Sequence, residues 1–340
     1  MPRMIDLRSD TVTRPTEAVR QVMAKADVGD DVYGEDPSII RLEARVAAML
    51  GKEQGLYVAS GVQSNLLALL CHCQRGDEYI VGQDYHTYKY EGGGAAVLGS
   101  IQPQPIQVEA DGSLDLQRVE SVIKPKDLHF ARSRLLSLEN THGGKVIGLD
   151  YLSQARALCD RRQLGLHLDG ARMMNAAVAL QCEAIDIAKY FDSVSLCLSK
   201  GLGAPVGSVL SGSKDFIEEA RHWRKMLGGG MRQAGILAAA GEYVLDQHVT
   251  RLADDHAHAQ QLAEGLGELE GVSLHGVATN ILYIGFDRHD PQVVATALKE
   301  KQILISPAAK TRLVTHLDVH AEDVPYVVQC FAEVMASLAV

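Results

Sequence analysis

No apolar run in the chain is long enough to cross a bilayer, and the first residues, Met1-Pro2-Arg3-Met4-Ile5-Asp6, carry no apolar leader segment. Residence in the cytoplasm is the resulting expectation. Basic residues form no block: 33 Lys and Arg stand dispersed against 43 Asp and Glu, a formal net charge of −10. Nucleic acids and anionic membranes bind clustered cations, so neither partner class is expected, and any cation that meets a ligand does so singly. The six cysteines, at 71, 73, 159, 182, 197 and 330, lack the paired spacing of a disulfide framework or a structural zinc site. Cys71-His72-Cys73 would share no ion, because helical residues two apart point in different directions, and no metal site is expected. Internal repeats and low-complexity segments are missing as well, which removes solenoid architectures. What is present is an ordinary globular composition, 340 residues with 46% hydrophobic content, enough for a sizeable core divided between a large and a small domain.

The most informative stretch runs from Asp192 to Gly203, where the apolar run Val194–Leu198 ends at Ser199-Lys200-Gly201. A run so short, so rich in small and branched residues and so uninterrupted reads as an interior strand of a mostly parallel sheet. Lys200 then lies at the carboxyl end of that strand, the side on which open α/β sheets bind ligands. Partly desolvated, such a lysine is a nucleophilic amine for imine formation; the plainer alternative is a solvated loop lysine. A second short strand, Leu164–Leu168, delivers Asp169 to its own end, and the interval to Lys200 accommodates a crossover helix and the return to a neighbouring strand. An amine for an imine and a carboxylate that keeps a pyridine nitrogen protonated are the pair that pyridoxal phosphate requires.

The rest of the chain supplies further strand ends. Leu7–Thr16 reads as a polar arm, followed by a helix from Glu17 to Ala24 capped by Thr16. The acidic, turn-rich Gly29–Ser38 contains Tyr33, the one residue there with binding potential, and a helix follows from Ile39 to Leu50. A strand through Val58 passes by Ser60-Gly61-Val62 into an apolar helix from Leu66, and free N–H groups at a helix start seat a phosphate. The strand Glu78–Val81 leads to Tyr85–Gly94, where His86 is either an aromatic lid over a bound ring or a packed structural histidine. Ala95–Leu98 and Gln104–Val108 read as further strands, Leu114–Ile123 as a helix, and Leu135–Leu138 as a strand that ends near His142. Convergence of Ser60, His86, His142 and Asp169 at strand ends describes a site. Beyond it, Pro205–Ser211 reads as a strand and Lys214–Met226 as a helix, while Gly228-Gly229-Gly230 before Arg232 lets backbone and charge approach a ligand closely. After a long helical stretch from about Gly235, strands at Val272–His275, Asn280–Phe286, Ile303–Ser306 and Arg312–Thr315 alternate with helices at Pro291–Lys301 and Asp323–Leu338 as a small α+β unit. The expected division is an arm at 1–20, a large cofactor-binding domain at 21–245 and a small domain at 246–340.

Six segments also carry a family resemblance: IDLRSDTVTRP from Ile5, GDDVYGEDP from Gly29, HLDGAR from His167, SLCLSKGLGAPVGS from Ser195, GGGMRQAG from Gly228 and LVTHLDV from Leu313. In their order and spacing, over nearly the whole chain, it resembles the low-specificity L-threonine aldolases, lyases of the fold type I, aspartate aminotransferase-like pyridoxal phosphate enzymes. That resemblance implies an α/β large domain with a mostly parallel sheet, a small α+β C-terminal domain, and retro-aldol cleavage of L-threonine, L-allo-threonine and related β-hydroxy amino acids to glycine and an aldehyde. It implies Lys200 as the cofactor's imine partner, Asp169 on the pyridine nitrogen, His86 over the ring, Gly61 and Val62 on the phosphate, and Arg232 reaching the phosphate of a neighbouring subunit. Ser9, Arg172 and Arg312 would hold the substrate carboxylate, with Tyr33 near the substrate and Arg172 close to the cofactor as well. His142 would lie by the β-hydroxyl, whose proton has His142, His86 or an ordered water as candidate bases. Partners would be the amino-acid substrate and further copies of the chain, a dimer at least and a homotetramer built as a dimer of dimers. Two positions depart from the family's usual pattern: Val62 stands where threonine is usual, removing a phosphate contact, and Gly143 stands where asparagine is usual, reshaping the β-hydroxyl pocket. Rival readings keep the cofactor for transamination or β-elimination, as in tryptophanase, or keep binding without turnover.

Overall fold

The computed structural model describes residues 3–338. Its centre is a seven-stranded sheet built from β2 (Gln54–Val58), β3 (Asp77–Gly82), β4 (Gln102–Ile106), β5 (Arg132–Glu139), β6 (Gly165–Gly170), β7 (Ser193–Cys197) and β8 (Ser208–Gly212), preceded in the chain by the short β1 (Ile5–Asp6). The order across the sheet is β2-β8-β7-β6-β5-β3-β4. β8 runs antiparallel to both neighbours, and every other junction is parallel, so the remaining strands share one direction and open their carboxyl ends on one edge. Strands β3, β7 and β8 are buried at every residue, and β7 and β8 accordingly read as runs of apolar and small residues, while β3 opens on Asp77 and Glu78, which pair with Arg132 and Lys124.

A second unit holds β9 (Val272–Ala278), β10 (Ile281–Phe286) and β12 (Thr311–Val314) as an antiparallel sheet in the order β12-β10-β9, while β11 (Ile303–Leu304) pairs in parallel with β1. Leu262, Leu282, Val327 and Phe331 form its core together with Ile5 and Leu7 from the opposite end of the chain. The amino-terminal segment is stitched in by backbone: Leu7 donates to Leu304 at 2.9 Å and accepts from Val314 at 2.9 Å. It then crosses to the large sheet, where Thr13 Oγ1 donates to the Lys200 carbonyl at 3.0 Å.

Several elements differ from their sequence reading. Ala95–Leu98 lies in a helix, Gly94–Gly99, not a strand. A four-residue apolar run has no period of its own, and the left-handed Gly93 (φ +69°) turns the chain so that Ala95 packs inward. The helix expected from Leu66 begins at Gly61, capped by the Ser60 hydroxyl, which accepts from Gln63 N at 3.1 Å. The strand expected from Pro205 begins at Ser208, after Gly207 in the left-handed region (φ +110°). Two short helices, Met173–Leu180 and Ala184–Ala188, replace the single crossover between β6 and β7.

Candidate functional site

Strand register brings the two central groups together. Asp169 on β6 lies opposite Ser195 on β7, and the chain continues past Cys197 to Lys200 on the same edge of the sheet. Asp169 is 3% exposed; its Oδ2 accepts from Asn65 Nδ2 at 2.8 Å and its Oδ1 from the Ala171 backbone at 3.0 Å. Burial, followed by the charge of Glu139, pushes the Asp169 carboxyl up, and the nearby Lys200 and His86 pull it back.

His86 and His142 are both held by Glu139 at the end of β5. Glu139 Oε2 accepts from the His86 backbone at 2.6 Å, and Oε1 lies 3.0 Å from His142 Nδ1. The His86 side chain is 41% exposed at the opening of a short helix, His86–Lys89, where a loop was expected, and its Nδ1 lies 2.8 Å from Glu91 Oε1. Glu91 also accepts from Asn65 Nδ2 at 2.8 Å, so one amide ties the acid of β6 to the partner of His86. The bond to Glu91 raises His86 and burial raises Glu91, both in the direction of a retained proton. His86, Glu91 and Asp169 place ligand atoms within 4.8 Å of one another, but Asn65 directs N–H groups at two of them, which a cation would oppose. Sequence reasoning missed Asn65, Glu91 and Glu139. Only the strand-end position of Glu139 gave a usable signal.

The opposite side of the cleft is basic. Arg172 forks onto the buried Asp10 through Nε at 2.7 Å and Nη2 at 2.6 Å, and Asn280 approaches the same carboxylate at 3.4 Å. Burial pushes the Asp10 carboxyl up, but the charge and hydrogen bonds of Arg172, with Lys200 and Asn280, together outweigh it and hold Asp10 down at about 2. Ser9, immediately before Asp10 in the chain, caps the 3₁₀ turn Asp10–Val12, its hydroxyl accepting from Thr11 N at 3.3 Å. Arg312 on β12 pairs across the ladder with Tyr283 on β10, so the two side chains share a face. The Arg312 guanidinium makes one long contact, 3.4 Å to the Arg8 carbonyl, and its charge is unpaired among the described residues. Tyr283, also missed in the sequence, reaches toward His142: a Cβ at Gly143 would lie 3.0 Å from its hydroxyl. Gly143 itself is left-handed (φ +56°).

Not every expected residue joins this cluster. Tyr33 is 75% exposed, and Arg232 is paired within its own chain, Nη1 to Asp30 Oδ2 at 2.7 Å, with its side chain 58% exposed. These two form a separate surface corner. At the anion seat, the first N–H groups of the helix Gly61–His72, those of Gly61 and Val62 included, have no intrahelical acceptor. Beside them the buried Ser208 Oγ has no hydrogen-bond partner among the described residues and sits 3.7 Å from a Cβ built on Gly61. An amine, a buried acid, a histidine face and an anion seat with an orphan hydroxyl are the donor set that pyridoxal phosphate calls for.

Comparison with known proteins identifies the family of the chain. A family model described as beta-eliminating lyase matches residues 6–288. The low specificity L-threonine aldolase of Escherichia coli (strain K12) is 53% identical over 320 residues, 94% of this chain and 96% of its own. A probable low-specificity L-threonine aldolase 2 of Arabidopsis thaliana is 45% identical over 349 residues, 98% of each chain. A solved structure titled as a putative L-allo-threonine aldolase from Listeria monocytogenes EGD-E aligns with a TM-score of 0.81 over 97% of this chain and 96% of its own, at 20% identity, a likeness of fold.

Proposed function

The chain belongs to the beta-eliminating lyase family, where it is a lyase of the L-threonine aldolase type, and from that premise we propose that it binds pyridoxal phosphate through Lys200 and cleaves L-threonine, L-allo-threonine and related L-β-hydroxy-α-amino acids reversibly to glycine and an aldehyde. The observation that carries the reading is the convergence of Lys200, Asp169 and His86 on the carboxyl edge of the sheet, beside an anion seat at Gly61 and Val62. Pyridoxal phosphate, when bound, supplies an aromatic ring that accepts the electron pair of the bond broken at the substrate Cα.

Each residue then has a physical task. Lys200 would supply the amine that holds the cofactor as an imine. Asp169 keeps a proton on the ring nitrogen, and His86 covers one ring face. Arg312, with its unpaired guanidinium, and Arg172, with N–H groups beyond its fork on Asp10, grip the substrate carboxylate together with Ser9. Fixing that carboxylate would orient the substrate at Cα and so would select which of its bonds breaks. His142, oriented by Glu139, takes the β-hydroxyl proton. With glycine and an aldehyde as products, the proposed reaction is one of threonine breakdown and glycine formation. No helix among the described residues is long and apolar enough to cross a membrane; cytoplasmic residence is part of the proposal. The family resemblance assigns Arg232, exposed and paired with Asp30 of its own chain, to the phosphate of a second subunit, and with it at least a dimer and a homotetramer.

The test is chemical. Purified protein should show the visible absorbance of a lysine-bound cofactor and release acetaldehyde and glycine from L-threonine or L-allo-threonine, and Lys200→Ala should abolish both. Ammonia with 2-oxobutanoate in place of acetaldehyde would transfer the assignment to β-elimination, and a 2-oxo acid without free ammonia, its amino group passed to an acceptor, would transfer it to transamination.

A further inference from the structure

The hydrogen bonds behind Asp169 have a determinable direction. Asn65, 1% exposed, faces two carboxylate oxygens at 2.8 Å, those of Glu91 and Asp169, and both are acceptors. Turned the other way, its amide would set its own oxygen against both. The NH2 group therefore points at the carboxylates, and Oδ1 points at His167 Nε2, 3.2 Å away, which must carry hydrogen. Burial, helped by His72, pushes His167 down to about 3, so near neutrality the ring has one N–H and its Nδ1 is an acceptor. The donor to that nitrogen is Ser193 Oγ, 0% exposed and 2.8 Å away. With its proton committed, Ser193 accepts from His72 Nε2 at 2.7 Å, and burial holds that ring neutral as well, down at about 4.

Every link therefore donates the same way: His72 to Ser193, Ser193 to His167, His167 to Asn65, and Asn65 to Asp169. The chain starts at the last residue of the helix Gly61–His72, crosses β7 and β6, and returns to the same helix one turn from the anion seat. Linked donors polarise one another, and this polarity reaches Asp169 through one N–H of the Asn65 amide while the other N–H serves Glu91. We propose that this chain is a positioning device for the acid, which keeps Asp169 in its charged form and correctly turned, so that Asn65, His167 and Ser193 set how strongly the protein grips a protonated ring nitrogen without touching the cofactor. The proposal rests on the pyridoxal phosphate reading and deepens it. It opposes a real cost, since burial and Glu139 both favour the neutral acid, whose proton would remove the pairing with a cationic ring.

Two measurements test it. In the full chain stripped of cofactor and labelled with ¹⁵N-histidine, nitrogen shifts should report both His72 and His167 as Nε2–H tautomers. A proton on Nδ1 of His167 would reverse the chain and overturn the proposal without touching the functional reading. In the second, the stripped protein is titrated with pyridoxal phosphate and with its 1-deaza analogue, in which C–H replaces the ring nitrogen. Ser193→Ala should weaken pyridoxal phosphate about threefold to tenfold, Asn65→Leu by more, and Ser193→Thr should restore the wild-type value, while the deaza analogue binds all of them alike within about twofold. Equal losses for both ligands would mean a purely structural network, and no loss for either would mean an idle one; each result overturns the proposal. Failure of the wild-type protein to bind either ligand would instead overturn the functional reading on which it rests.

Discussion

Asp10 occupies the place where the arm, the large sheet and the small sheet meet: it is 0% exposed, gripped by Arg172 from one side and approached by Asn280 from the other. Its charge matters only because Arg172 is there, and the reverse holds too. Asp10→Asn should therefore leave a nearly buried guanidinium without its counter-charge, lowering stability by about 3–5 kcal/mol in urea denaturation at pH 7. The sign of its pH dependence follows from the depressed carboxyl, about 2 in the folded protein against 3.8 as the ordinary value. Stability from this pairing, of the order of 2 kcal/mol, is full above the unfolded value and is lost as pH falls from about 4 through about 2. The gap between wild type and variant should narrow over that window, and a gap constant between pH 7 and pH 3 would contradict the pairing. Asp10 was not legible as more than part of a polar arm, because nothing in Ser9-Asp10-Thr11 announces burial and its partner lies 162 positions away. Lys200 and Asp169 were legible because each ends an apolar run short enough to be only a strand. Asn65 and Glu91 lie beside a helix start and in a glycine-rich turn, where polar residues are ordinary.

Among the elements, the helix Gly61–His72 has the most to do, since its start offers the anion seat and its body presents both Asn65 and His72. The apolar run Leu66–Cys71 revealed that a helix existed but placed its start too late, because Gly61, Val62 and Gln63 carry no apolar period and only the Ser60 cap marks the true first turn. The true start matters for chemistry, because it makes Val62 a residue of the first turn, 39% exposed at the seat. A hydroxyl there adds a donor that the present side chain lacks. Val62→Thr should tighten pyridoxal phosphate binding by about 0.5–1.5 kcal/mol, roughly two- to tenfold, in fluorescence titration of the stripped protein. An unchanged affinity would mean that this side chain points away from the phosphate. The helix Gly94–Gly99 shows the opposite difficulty: Ala-Ala-Val-Leu fits a strand or a helix equally well, and packing decided.

For the molecule as a whole, the arrangement of Arg232 has consequences that one chain cannot exhaust. Its guanidinium sits on Asp30 at an exposed corner that also bears Tyr33, apart from the Lys200 cluster, although the three glycines before it leave room for a close approach. The general architecture, a mostly parallel sheet with a small second unit, was readable because alternating strand and helix patterns impose it; the assembly was not, because surface residues serve solvent or a partner with the same composition. If Arg232 completes the site of a neighbouring subunit, then Lys200→Ala and Arg232→Ala damage opposite partners of a shared pair. Each variant alone should be nearly inactive. Co-refolded in equal amounts, half of the dimers are mixed, and in a mixed dimer one site lacks both groups while the other keeps Lys200 from one chain and Arg232 from its partner. Activity should return to about a quarter of the wild-type value, the fraction set by random pairing in a two-fold assembly. No recovery, with dimers verified by sedimentation, would mean that Arg232 serves its own chain through Asp30 and that the assembly, whatever its size, leaves each site self-contained.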